Sequence, residues 1–149
     1  MLNRFLLVVV FALPITIHAQ QGEPLKSARA EFILSPLEFY LDGGAVGDTR
    51  VVSKHWVDRC AKGNHSLYGK PYTDTCPKGA YSNFWWVDNI EKGDFMARGV
   101  FGQMIYINPM AHITIVKLST WPDYLKPDFS KKTLLAFRAI REALSEQGI

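Results

Sequence analysis

From residue 81 to residue 118 the chain runs through four stretches rich in aromatic and β-branched residues, each closed by turn formers. That density of strand-forming sequence, followed by one helical stretch, constrains the fold more than any other feature. Residues 81–87 read as one strand and 95–100 as a second extended segment, with Glu91-Lys92-Gly93-Asp94 turning the chain between them. Residues 103–107 and 113–118 read as strong strands, joined by Asn108-Pro109-Met110-Ala111 as a short hairpin. Pro122 and Pro127 mark an irregular connector, and Ser130 reads as the N-cap of a terminal helix reaching about Gln147. Leu134, Phe137, Ile140 and Leu144 form one apolar stripe on that helix, suited to packing on a sheet.

The segments ahead of the strands are shorter. Residues 25–34 can form a helix, and Ser35-Pro36 opens another that Asp42-Gly43-Gly44 stops. Gly47-Asp48 is a turn and residues 50–52 are extended. Ser53 caps a helix from Lys54 to Lys62, ended by Gly63, with Trp56, Val57 and Cys60 on one face. Residues 64–79, with Gly69, Pro71, Pro77 and Gly79, read as a loop. The expected class is α+β: an antiparallel sheet of about three to four strands, short helices before it and a covering C-terminal helix.

The first residues have a different character. Asn3-Arg4 is a short positive start, residues 5–17 are apolar apart from Pro14 and Thr16, and Ala19 precedes a polar run. This is the order of a secretory leader, and the apolar run is short of the roughly 20 residues that span a bilayer. The expectation is a signal peptide over residues 1–19, a domain over residues 20–149 and a secreted or periplasmic destination, with no membrane attachment after cleavage. A net charge of +3 without a basic stripe points away from nucleic acid. Nothing in the sequence implies a cofactor.

Three stretches, taken in order, resemble the serine β-lactamase-like hydrolase superfamily, nearest its 6-aminohexanoate-dimer hydrolase-like group. Residues 37–44 with 50–57 look like its helix, Gly-Gly, turn, V-V-S, W-V segment. Residues 81–87 look like the opening strand of its carboxy-terminal sheet. Residues 95–109, with Ala97-Arg98-Gly99 and Gly102-Gln103, look like the strand of its third active-site element and the following hairpin. The likeness implies the carboxy-terminal part of such a fold. It also implies that Gly99 permits close backbone approach, that the Val100 N–H stands at an oxyanion hole, and that Arg98 lines the pocket edge, where it can meet a substrate carboxylate. The parent substrate would be a small amide or ester.

These hydrolases use a serine with a lysine three residues later, one helical turn away, as its base. None of the eight serines of this chain has lysine at that position. Tyr81-Ser82-Asn83 matches the family's second element in letters but sits directly before the Trp85-Trp86 strand, so it reads as chance. The expectation is a truncated or degenerate exported serine hydrolase, inactive alone; the alternative is an exported non-catalytic binding or interaction module. With the rest of such a fold missing, one sheet face is expected to lose cover and to favour self-association.

Cys60 and Cys76 flank a Gly/Pro-rich loop. An oxidising compartment makes a disulfide the default, with free thiols or a metal site using His55, Cys60, His65 and Cys76 as the rivals; no zinc spacing fits the last. His112 reads as an ordinary strand-edge histidine. Alternation puts Trp85 and Trp86 on opposite faces of their strand.

Overall fold

A computed structural model describes residues 11–12, 39–70 and 72–146. The expected segments at 13–38, the leader's remainder among them, lie outside the described residues. In chain order the elements are β1 (Phe11–Ala12), β2 (Ala45–Val46), β3 (Thr49–Arg50), α1 (Lys54–Lys62), a 3-10 turn (His65–Leu67) and α2 (Tyr72–Thr75). Then come β4 (Ala80–Ser82), β5 (Trp85–Asn89), β6 (Asp94–Arg98), a 3-10 turn (Val100–Gly102), β7 (Met104–Asn108), β8 (Ile113–Leu118) and α3 (Pro127–Glu146). The fold is α+β. β4 to β8 form an antiparallel five-stranded meander, β1 adds a short parallel pairing on the β8 edge, and β2 and β3 form a separate ribbon.

Three expectations are corrected here. Residues 81–87 are not one strand. The chain reverses at Asn83 and Phe84, both at positive φ (51° and 66°), and Ser82 pairs with Trp85. A type I′ two-residue hairpin turn needs left-handed backbone at both central positions, and here neither is glycine. The presumed loop 64–79 holds the His65–Leu67 turn and α2. Finally, α3 starts at Pro127, where a residue without an N–H costs nothing, and Ser130 lies inside it, buried. Helix α1 agrees with the reading: the Ser53 hydroxyl accepts from the Trp56 N–H (3.2 Å) and Gly63 closes it at φ 60°.

Side-chain alternation divides the sheet into two faces. One carries Trp86, Met96, Met104, Tyr106, Ile113 and Ile115, and packs against Leu134, Phe137, Ile140 and Leu144 of α3 together with Tyr68 and Cys76. The other carries Trp85, Val87, Phe95, Ile105 and Ile107, and packs against Trp56, Cys60 and Ala61 of α1 and against Tyr40 and Leu41. Both faces therefore have cover, which the sequence reading did not expect of the second.

The two cysteines belong to different cores. Cys60 and Cys76 are free and buried, with the sheet between them. A disulfide needs Cα atoms within about 7 Å, so the expected bridge is overturned by the side of the sheet each residue occupies. Burial, with the nearby Asp88 carboxylate, pushes the Cys76 thiol up to about 11. Burial likewise raises Cys60.

Helix α3 is fastened by charge as well as by its stripe. Arg141 pairs with the fully buried Asp94, and its Nη1 donates to the Tyr106 hydroxyl (3.2 Å). Asn108 donates to Asp94 and to the Lys92 carbonyl (3.1 Å), while its own carbonyl accepts from Ala111 N (2.7 Å). Arg138 grips Asp88 with two bonds (2.6 and 2.9 Å) and donates to the Thr75 carbonyl (3.1 Å). Each carboxylate sits on the α3 face of its strand, so the pairs fix the rotation and register of the helix. Burial raises the Asp94 carboxyl, and the charge of Arg141 opposes that shift.

Candidate functional site

The stretch that carries the strongest likeness forms one wall of a cavity. Strand β6 ends at Arg98, Gly99 leaves the ladder, and the chain turns at Val100–Gly102 before entering β7. The turn is tied from several sides. Gly99 N–H donates to the Gln103 carbonyl (2.9 Å), Phe101 N–H to the Tyr124 carbonyl (2.9 Å), and Trp121 N–H to the Phe101 carbonyl (3.1 Å). The Val100 N–H takes no part in these bonds. Phe101 sits at φ 56°. Gly102 is at φ 81°, and a Cβ there would lie 2.0 Å from the Trp121 ring, so this position admits only glycine.

Lys117 locks the same turn from β8. Its ammonium lies 4.7 Å from the centre of the Trp121 ring and donates to the Gly102 carbonyl (2.9 Å) and the Ser119 hydroxyl (2.6 Å). Ser119 in turn donates to the Phe101 carbonyl (3.1 Å). Burial lowers the Lys117 pKa. A lysine beside a serine raises the question of a nucleophile and its base. A base must direct a lone pair at the hydroxyl proton. Here that proton points at a carbonyl, and the amine acts as donor to a carbonyl and to an aromatic face, both of which favour its charged form. The pair therefore clamps the loop. Sequence reasoning confined to a helical Ser-x-x-Lys spacing missed it, because the two residues sit at strand spacing.

The cavity behind the turn holds about 330 Å³. Arg98, Gly99 and Val100, the three residues singled out from the sequence, all line it. Tyr72, Trp86 and Trp121 supply aromatic walls, Met104 and Leu125 apolar ones, and Ser130 and Pro127 come from the first turns of α3. Arg98 lies on the α3 side of β6. Its guanidinium carbon is 5.5 Å from the Trp86 ring centre and 6.0 Å from that of Tyr72, and its Nη2 donates to the Ser130 hydroxyl (2.5 Å). Among the described residues no carboxylate pairs with Arg98. Ser130 is the one serine lining this cavity among the described residues. Its partner is a guanidinium, which carries no lone pair to take a proton, so Ser130 has no base there.

The other candidates disperse. His112 is a turn residue at φ 50° before β8, not a strand residue. The His65 ring donates Nδ1–H to the Gly79 carbonyl (2.6 Å). Among the described residues no group of three or more His, Cys, Asp or Glu side chains could hold a metal ion. Trp85 and Trp86 do face opposite ways, and only Trp86 reaches the cavity.

No protein-family profile matches the chain. Over 85 residues, 56% of its length, it is 36% identical to 6-aminohexanoate-dimer hydrolase of Paenarthrobacter ureafaciens. The match spans 22% of that relative. It supports a partial, carboxy-terminal relationship to the serine β-lactamase-like hydrolases.

Proposed function

We propose that this chain is an exported module related to β-lactamase-like serine hydrolases that keeps a pocket wall but does not hydrolyse amides or esters by itself. One observation carries the reading. The residues of the strongest likeness, Arg98, Gly99 and Val100, line a cavity whose one described serine faces an arginine instead of a base. An oxyanion hole stabilises charge that a nucleophile must first create, so the Val100 N–H can do no catalysis without one. The parent reaction would be attack on a small amide or ester. The companion reading, a non-catalytic binding module, is favoured by aromatic rings beside a cation that no carboxylate pairs among the described residues.

Export through a leader over residues 1–19 belongs to the same proposal. Its removal would take β1 from the sheet and leave β8 as an edge strand. The sequence reading expects self-association through an uncovered sheet face; with both faces covered, an unpaired β8 edge is the route left for it. Purified chain beginning at Gln20 is expected to leave nitrocefin, p-nitrophenyl acetate and short linear amides at the background rate. Saturable turnover of any of them refutes the non-catalytic reading.

A further inference from the structure

At the β4 edge of the sheet, away from the cavity described above, α1, the first 3-10 turn and β4 meet around a hollow of about 370 Å³. It is lined by Arg59, Lys62, Gly63, Asn64, His65 and Ser82. Its floor is tightly built. Gly63 closes α1 at φ 60°, and a Cβ there would lie 2.6 Å from that of Ala80, so the end of the helix sits directly on β4. Asn64 and Tyr81 exchange both backbone bonds (3.1 and 3.3 Å), and the Gly79 carbonyl holds the His65 Nδ1–H (2.6 Å). Asn64 Oδ1 accepts from the Ser66 N–H (3.0 Å) and hydroxyl (2.7 Å), which fixes the amide and leaves its NH2 group unused.

The groups around the hollow are mostly donors. Among the described residues the Arg59 guanidinium, the Lys62 ammonium and the Ser82 hydroxyl have no hydrogen-bond or ion-pair partner, and no carboxylate lines the hollow. Asp58, the acid adjacent in sequence, is engaged by Lys54 (2.7 Å). Two cations in the last turn of α1 complement its dipole, which accounts for their charge. It does not account for an amide and a hydroxyl from two other elements converging on the same hollow. Charged and neutral donors gathered without an anionic partner complement a tetrahedral oxyanion, whose oxygens accept from several directions at once. We infer that this hollow binds a phosphoryl group, free or at the end of a small ester, held by Arg59 and Lys62 and oriented by Asn64 and Ser82. The site is separate from the β6 cavity and requires nothing of it.

The test uses the full chain with inorganic phosphate and glycerol 3-phosphate as probes, at an ionic strength held constant with chloride. Binding is followed by calorimetry and by the NMR shifts of the Gly63, Asn64 and Ser82 backbone amides. At least one probe should saturate with a Kd at or below about 1 mM and shift those amides, and the tighter probe names the source of the group. Arg59→Gln combined with Lys62→Gln should weaken binding about tenfold or more, since two bonds to a charged acceptor are lost. Ser82→Ala should weaken it a few-fold, and Lys131→Gln on the exposed side of α3 should change nothing. Weaker binding than that by both probes overturns the inference with no variant needed. Undiminished binding by the folded double variant, with circular dichroism matching the parent, overturns it as well. So does a loss with Lys131→Gln as large as that of the double variant, which would mark general attraction to a positive surface.

Discussion

The two faces of the sheet are built on different principles. The face under α1 is held mainly by apolar contact, with Val87, Phe95 and Ile107 against Cys60 and Trp56, and its side-chain hydrogen bonds among the described residues are neutral ones, Asn83 to the Cys60 sulfur (3.8 Å) and the Tyr40–Trp85 pair. The face under α3 adds two arginine–carboxylate pairs, an asparagine bridge and a buried tyrosine hydroxyl. Apolar packing tolerates sliding, whereas paired charges accept one register. The cavity lies on the second face, where the start of α3 must meet the end of β6 with Ser130 opposite Arg98. A fixed helix is what gives that corner a definite shape.

Breaking the charge fastening should have the largest effect. Asp94→Ala removes the buried partner of Arg141 and leaves it only the exposed Glu142 carboxylate and the Tyr106 hydroxyl, which should cost about 3 kcal/mol, measured by urea unfolding. Adding Arg141→Leu should recover part of the loss, because the stranded charge is gone. A double variant as unstable as the sum of the two single ones would show that the pair is not coupled.

Alkali should act on the same face. The Cys76 thiol has an ordinary value of 9.0 and is held at about 11 in the fold. Between those values the unfolded chain has released a proton that the folded chain retains. Stability from this group is therefore complete below pH 9 and is lost as the pH rises to 11, on the order of 2 kcal/mol. Cys76→Ala should give a flatter curve of unfolding midpoint against pH over that window. Parallel curves for the two proteins would contradict the assignment.

The smallest effect belongs to the face under α1, and its sign is opposite. Thr114 is fully buried on the α1 side of β8, and its hydroxyl is the one buried side-chain polar atom without a hydrogen-bond partner among the described residues. Thr114→Val removes an unpaired group at constant shape and should stabilise the fold by about 1 kcal/mol. A loss of stability of that size would mean that this face relies on polar pairing too.

What the sequence made legible was local. Ser53, Gly63 and the Trp56/Val57/Cys60 face define the nine residues of α1 and its two caps locally, and the β7–β8 hairpin and the α3 stripe are equally self-contained. The Asn83–Phe84 reversal escaped because phenylalanine gives no sign of left-handed backbone. Ser130 misled because it has the chemistry of a cap, yet its hydroxyl serves Arg98, 32 residues away in sequence. The Asp94–Arg141 pair spans 47 residues and leaves no local pattern. The cysteines misled for the same reason, since spacing along the chain does not say on which side of a sheet each will lie. Of the site, Arg98, Gly99 and Val100 were found by likeness. The aromatic walls and the Lys117–Ser119 clamp exist only once the strands are paired.

The central claim is a hydrolase-type pocket wall without a working nucleophile, and intact-mass spectrometry after exposure to a fluorescent penicillin tests it most directly. The account predicts that the mass of the purified chain stays unchanged. A stoichiometric adduct mapped by peptide sequencing to a serine would contradict it, most pointedly at Ser119, where the Lys117 amine lies 2.6 Å away.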